Sequence, residues 1–300
     1  MIASCMPELP EVETIARGLA ERLTGLHIDG VHLHRPDMLH GNAGSTEQLV
    51  GRRIADVRRR GKLVCVSLAD SREPISVFVH LGMTGRLLVV ELNQPLERHT
   101  HLQVTFSRRG LELRFCDPRR FGGIWLVGNC ADGTDDGNGW QGRRLPPIAA
   151  DPLTVTLPQM RVLLNRRRQI KALLLDQQPL SGLGNIYCDE MLFRAGVHPL
   201  TLAADLSPDA TARLRRAMRR VLAEAIRAGG SSISDYRNAD NQPGRFQDHH
   251  RVYNRAGQPC CRCGTTIQRL VVAGRGTYIC PVCQRITVAS ANSCAGRGGG

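Results

Sequence analysis

LVCVSLA (63–69), ISVFVHLG (75–82), RLLVVEL (86–92), LQVTFS (102–107), LELRFC (111–116) and GIWLVG (123–128) follow one another with short polar stretches between them. Runs this short, rich in β-branched and apolar residues, predict antiparallel strands closed into a β-sandwich or barrel over roughly residues 27–128. Upstream, EVETIARGLAERLTG (11–25) carries a helical period: Val12, Ile15, Leu19 and Leu23 share one face and Gly25 supplies the stop. Downstream, residues 129–147 are rich in glycine and aspartate without any period, and are expected to form a surface loop leading into a linker.

Beyond residue 151 the texture turns helical. TLPQMRVLLNRRRQIKALLLD (156–176), IYCDEMLFRAG (186–196) and SPDATARLRRAMRRVLAEAIRAGG (207–230) predict three or more helices. The last has Ser207 as N-cap, Pro208 at the first helical position and Gly229-Gly230 as terminator. Its arginines 213, 215, 216, 219, 220 and 227 are expected to form mostly a solvated basic face. A polar, glycine-rich loop follows, then a cysteine segment and the low-complexity tail SANSCAGRGGG (290–300), expected to be disordered. No internal repeat is evident.

Five of the eleven cysteines crowd into residues 260–283. Cys260-x2-Cys263, sixteen residues, then Cys280-x2-Cys283 is a spacing suited to one tetrahedral, four-thiolate zinc. Such a closed site leaves no position for water, so the zinc is expected to be structural, holding the hairpin that carries Arg269 and Arg275. Cys261 fits the spacing poorly and is expected to be a bystander, while Cys65, Cys116 and Cys188 read as small buried hydrophobes. The odd number of cysteines argues against a disulfide framework.

The formal charge of +13 favours a polyanionic partner, nucleic acid before an anionic membrane. No run of 18 apolar residues and no signal-peptide pattern is present, so a cytoplasmic, membrane-free protein is expected. Lys62 and Lys171 are the only lysines; the other 38 basic residues are arginine.

Five motifs, in order, carry a family resemblance: MPELPEVET (6–14), HLGMTGRL (80–87), DPRRFGG (117–123), LLDQQPLSGLGNIYCDEMLFRAGVHP (174–199) and the zinc segment. Together they resemble formamidopyrimidine-DNA glycosylase, a bacterial base-excision-repair enzyme, from Met6 to about Arg285. The related endonuclease VIII group typically reads Glu-Gly-Pro-Glu after the first proline; Glu8-Leu9-Pro10-Glu11 favours the purine enzyme. The resemblance implies an α+β architecture: a β-sandwich with an N-terminal helix (6–146), a helix-two-turn-helix domain (147–248) and a zinc β-hairpin (249–286). It implies a monomer acting on damaged double-stranded DNA, with glycosylase and AP-lyase activity toward oxidised purines.

The implied nucleophile is the α-amine of Pro7, exposed when Met6 is removed. An α-amine titrates at about 7.7–8.0, so a useful fraction is neutral at cellular pH. Residues 1–5 depart from the family pattern and are expected to be a misassigned start; an amide nitrogen at Pro7 is not nucleophilic. Glu8 is implied as general acid/base, and Glu11 as a secondary site residue. Lys62 is implied as a proton donor in the elimination steps, and Lys171 as a residue at the lesion; an ammonium does this work and a guanidinium does not.

Asn185, in a turn that Gly182 and Gly184 keep tight, is implied as a DNA-phosphate contact, and Arg275 as another on the zinc hairpin. Met83, Arg119 and Phe121 match the trio that fills the space left by a flipped nucleotide, although by type alone Met83 and Phe121 suit a core. His80 and Arg120 are implied as phosphate or structural partners. Residues 231–250 occupy the place of the loop that caps the flipped base, with many identities unlike the family pattern. Two other readings stand beside this one: an endonuclease VIII-like enzyme for oxidised pyrimidines, and a catalytically silent zinc DNA-binding protein.

Overall fold

A computed structural model describes residues 6–69, 74–106, 110–128, 141–232, 236–239 and 241–286. The expected extension 1–5, residues 129–140 of the expected loop, parts of the 231–250 segment and the expected disordered tail from 287 onward lie outside the described residues. The chain forms two compact units. The first comprises Met1–Pro152, Leu180–Gly184 and Leu222–His249; the second comprises Leu153–Pro179, Asn185–Val221 and His250–Gly300.

Among the described residues of the first unit, helix α1 (Leu9–Leu23) precedes nine strands. These are β1 (Ile28–Leu33), β2 (Leu39–Gly41), β3 (Ile54–Arg60), β4 (Leu63–Leu68), β5 (Ile75–His80), β6 (Arg86–Glu91), β7 (Thr100–Phe106), β8 (Leu111–Cys116) and β9 (Gly123–Gly128). Two sheets form, in the orders β1-β7-β8-β6 and β2-β9-β5-β4-β3. The pairing is antiparallel as expected except at one edge, where the three-residue β2 runs parallel to β9. So short a strand carries no alternation for a sequence pattern to register.

Leu9, Val12, Ile15, Leu19 and Leu23 are buried along α1. Four of them join the inner faces of both sheets in one core that includes Val64, Val79, Leu87, Phe115 and Leu126. Burying each such side chain contributes roughly 1.5–3 kcal/mol, which fixes the angle at which α1 leaves its first turn. The turn Leu180–Gly184, distant in sequence, belongs to this unit and meets that first turn: the Leu9 amide donates to the Gly182 carbonyl at 2.9 Å.

In the second unit the long helical run at 156–176 is two helices, α2 (Leu157–Leu164) and α3 (Ile170–Leu175). Three consecutive arginines, 166–168, lie at the break, and Gln169 leaves the helix to bridge Leu202. Helix α4 (Asn185–Ala195) follows, and then helix α5 (Pro208–Arg227), whose residues from Leu222 are counted with the first unit; α5 is capped as expected by Ser207, whose hydroxyl accepts the Ala210 amide at 3.1 Å. Strands β10 (Gln268–Val272) and β11 (Arg275–Ile279) form a hairpin closed by Ala273 and Gly274, both at positive φ. That is the turn whose twist suits a two-residue hairpin.

Candidate active site and nucleic-acid interface

Pro7 and Glu8 are buried at the start of α1, while Met6 is exposed. Glu8 is the N-cap, and the Glu11 carboxylate reaches back to accept the Glu8 amide at 2.9 Å. Glu11 also accepts the Ser231 amide at 2.6 Å, and its carbonyl accepts the Tyr236 hydroxyl at 3.3 Å. Burial with these donors makes Glu11 a positioning group that ties the first turn of α1 to the segment after α5. Tyr236, pushed well above the ordinary phenol range by burial, stays a neutral donor there.

Space for the Glu8 carboxylate comes from a glycine far along the chain. A Cβ on Gly184 would fall 2.3 Å from the Glu8 carboxyl carbon and 2.4 Å from one of its oxygens. No side chain is compatible with that approach, so Gly184 gives Glu8 its place beside Pro7. A carboxyl held there can give a proton to, or take one from, a group brought beside it.

Lys62 sits half-buried in the β3–β4 turn, next to Gly61 at positive φ. Its charge reaches His80 at the end of β5. Burial first, then the charges of Lys62 and Arg143, push that imidazole down to about 4, so His80 is neutral at physiological pH. Its Nδ1 accepts the Gly82 amide at 3.1 Å, which starts the next turn.

That turn, 81–85, lies back to back with the loop 117–123. A Cβ on Gly82 would stand 2.5 Å from the Gly122 nitrogen, and one on Gly122 would stand 2.5 Å from the His80 carbonyl oxygen. The fully buried Asp117 fastens the pair: it accepts the Thr84 hydroxyl at 2.5 Å, the Gly122 amide at 2.8 Å and the Arg119 amide at 3.3 Å. Because the backbone is held from beneath, the side chains above it are left outward. Phe121 is 49% exposed, with the Arg119 guanidinium 4.8 Å from its ring centroid, and Met83 is half-buried. Neither Met83 nor Phe121 is a core residue.

The second unit carries the other candidates. Lys171 has no exposed surface; its Nζ donates to Asp189 Oδ1 at 2.6 Å, Thr277 Oγ1 at 2.7 Å and the Gly276 carbonyl at 3.4 Å. All three ammonium hydrogens are thus directed into the unit, and Lys171 presents none to an outside ligand. The second Asp189 oxygen accepts the Tyr278 amide at 3.0 Å. Burial pushes Asp189 up to about 7 against the pull of the Lys171 ammonium.

Asn185, at the start of α4, donates from Nδ2 to the same Gly276 carbonyl at 2.9 Å, and its buried Oδ1 has no partner among the described residues. Arg275 is exposed beside Gly276. Lys171, Asn185 and the residue next to Arg275 therefore share one carbonyl. Glu190, next to Asp189, accepts the amides of Arg251, Val252 and Tyr253, each at 2.9–3.0 Å, and so anchors the chain entering the cysteine segment. Sequence reasoning missed Asp117, Asp189 and Glu190. Each is an ordinary acidic residue by type, and only its burial reveals a role.

The sulfurs of Cys260, Cys263, Cys280 and Cys283 lie within 4.8 Å of one another, with separations of 3.9 Å for 260–283, 3.4 Å for 263–280 and 3.6 Å for 263–283. A tetrahedral zinc at about 2.3 Å from each thiolate needs sulfurs roughly 3.8 Å apart, so the cluster fits one structural zinc. Cys261 is exposed and outside the cluster.

Comparison with known proteins agrees with this geometry. Three family profiles match in order: formamidopyrimidine-DNA glycosylase N-terminal domain (6–124), formamidopyrimidine-DNA glycosylase H2TH domain (148–237) and zinc finger found in FPG and IleRS (257–286). The formamidopyrimidine-DNA glycosylase of Pelotomaculum thermopropionicum is 41% identical, over 94% of this chain and 100% of that protein. The crystal structure of the MutM (Fpg) protein from Thermus thermophilus superposes with a TM-score of 0.78 at 40% identity, covering 94% of this chain and 100% of that one. Two complexes of the Lactococcus lactis enzyme, with abasic-site DNA and with N7-benzyl-Fapy-dG DNA, superpose at 0.77 and 32% identity over 93% of this chain and 99% and 100% of theirs.

A sandwich with an N-terminal Pro-Glu helix, a helical unit and a four-cysteine hairpin defines a base-excision-repair DNA glycosylase with AP-lyase activity. The chain belongs to the formamidopyrimidine-DNA glycosylase family.

Proposed function

We propose that the chain excises oxidised purines, 8-oxoguanine and formamidopyrimidines, from duplex DNA, with Pro7 as the nucleophile. The observation that carries this reading is the buried Pro7–Glu8 pair, with Glu8 seated in the space that Gly184 leaves open. In the active form the chain begins at Pro7, Met6 having been removed, because only a free amine has the lone pair the reaction needs. The amine nitrogen bonds to sugar C1′ as the C1′–base bond breaks, and the bonding pair leaves with the base, which takes up a proton. Once the nitrogen has lost its proton, its pair forms the iminium as the C1′–O4′ bond breaks, and O4′ takes up a proton as the sugar ring opens. That electron sink acidifies the C2′ hydrogen, so the 3′ and then the 5′ phosphate leave by β- and δ-elimination.

Glu8 shuttles protons for sugar opening and iminium formation. Lys62 supplies a proton in the eliminations. Met83, Arg119 and Phe121 occupy the vacated stack; His80 and Asn185 together with Arg275 bear on phosphates flanking the lesion. Glu11 acts by holding Glu8, and Lys171 by holding the hairpin. The zinc itself takes no part in the chemistry. Functionally the chain is read as a catalytic domain (6–146), a helix-two-turn-helix domain (147–248) and a zinc hairpin (249–286), working as a cytoplasmic monomer on damaged double-stranded DNA. No helix among the described residues is long and apolar enough to cross a membrane.

The test is borohydride trapping on abasic duplex DNA, with N-terminal sequencing of the same sample. A covalent adduct on protein beginning at Pro7 is expected. An adduct on protein beginning at Met1 overturns the Pro7 assignment, and no adduct on protein beginning at Pro7 favours a silent DNA-binding protein. Release of 8-oxoguanine rather than thymine glycol from duplex substrates separates the purine reading from the pyrimidine one.

A further inference from the structure

Arg143 matches none of the motifs that carried the family resemblance, yet its guanidinium meets the loop that presents Phe121. Nη1 donates to the Phe121 carbonyl at 3.4 Å, and Nη2 donates to the Gly122 carbonyl. Nε donates to His40 Nε2 at 3.0 Å. His40 is buried, with its ring centroid 5.1 Å from that of Trp125, and Trp125 Nε1 donates to the Arg143 carbonyl at 2.8 Å. The Arg143 guanidinium lies 5.6 Å from the Trp125 ring centroid. Burial, then the charge of Arg143, holds His40 below the ordinary imidazole range, so His40 is a neutral acceptor. A neutral imidazole accepts at one nitrogen only, and the shorter guanidinium contact takes precedence over the Arg143 amide, 3.3 Å from Nδ1.

Two glycines keep this arrangement open. A Cβ on Gly123 would fall 2.5 Å from Arg143 Nη2, and one on Gly142 would fall 2.3 Å from His40 Nδ1. The backbone of Gln141 pairs with Gly41 in both directions, at 3.0 and 2.8 Å, which fixes where Arg143 starts. The consequence is local and specific. The Gly122 amide is held by Asp117, and the carbonyls of Phe121 and Gly122 are both held by Arg143. The peptide that follows Phe121 therefore has neither end free to turn.

We propose that Arg143 is a positioning residue for base extrusion: it locks the Phe121–Gly122 backbone, through His40 and Trp125, so that the phenyl ring stands ready to enter the stack. This rests on the reading of Phe121 as a group that fills the space left by the flipped nucleotide. A wedge pays off only if it is ordered before the base leaves, because a mobile ring spends part of its contact energy on its own ordering.

The experiment compares Phe121→Ala, Arg143→Gln, Arg143→Lys and the double variant Phe121→Ala/Arg143→Gln in single-turnover excision of 8-oxoguanine opposite cytosine. Borohydride trapping on a pre-formed abasic site, where no base has to leave the stack, is run alongside. Phe121→Ala and Arg143→Gln are each expected to slow excision about ten-fold, the double variant no further than Phe121→Ala, and Arg143→Lys less than Arg143→Gln. The loss on abasic DNA is expected to be smaller than on the stacked lesion. Full-rate Arg143→Gln, losses that multiply in the double variant, or equal losses on both substrates overturn the proposal. A full-rate Phe121→Ala removes the wedge reading itself, and the role of Arg143 with it.

Discussion

Two buried aspartates do similar work in the two units by different physics. Asp117 gathers neutral donors, a hydroxyl and two amides, around one loop. Asp189 faces an ammonium and joins α3, α4 and the zinc hairpin through it. A carboxylate satisfied by amides stays satisfied so long as the backbone holds. A buried ion pair costs desolvation on both sides and becomes a liability when either partner is lost. The loop that presents Phe121 is held in the first way, and the four-cysteine hairpin is held in the second, with a metal added.

Removing the metal tests this contrast hardest. Chelation, or Cys263→Ser, is expected to unfold the hairpin of the second unit and abolish DNA binding while the β-sandwich keeps its melting transition. Structural zinc in small domains contributes on the order of 10–16 kcal/mol at neutral pH, more than the hairpin can replace. Calorimetry with and without chelator reads it, and a single unchanged transition would falsify the division of labour. Next in size, Lys171→Met is expected to cost about 3–5 kcal/mol by stranding Asp189, and Lys171→Met/Asp189→Leu to cost less than the single change. Denaturant melts check this. DNA affinity should follow stability, because Lys171 reaches no outside ligand.

Asp117→Asn is expected to cost about 2–3 kcal/mol, since an amide nitrogen cannot accept what the second carboxylate oxygen accepts. Its excision rate should fall more than its stability alone explains, which the single-turnover assay resolves. The smallest effect is set by pH. His80 is depressed to about 4, so the unfolded chain binds a proton before the folded one does. The stability this supplies is present above about pH 6.5 and is lost as pH falls toward 4. From pH 7 to 5 the loss is at most about 2 kcal/mol, and His80→Gln should shrink it; an undiminished loss in that variant assigns it to other groups.

Much of this was legible in the chain. The strands at 63–128, the Ser207 cap and the zinc spacing depend on neighbours a few residues apart, and each is found where local pattern placed it. The family followed from five motifs in order. The break between α2 and α3 and the parallel β2 were not legible, because their cause is a partner strand or bridge from elsewhere in the chain.

The roles of individual site residues divide along the same line. That Pro7 is a candidate nucleophile follows from the family resemblance of the motif that holds it, and that four cysteines hold one ion is written in residue type and spacing. That Gly184 makes room for Glu8, that Arg143 grips the backbone beneath Phe121 and that Lys171 is consumed by Asp189 and Thr277 was decided only by tertiary structure. Helical and strand periods report which face of an element is apolar. They carry no record of which polar atom, tens of residues away, arrives at hydrogen-bond distance, and in a packed interior that arrival determines whether a charged side chain faces a ligand or is used up inside the protein.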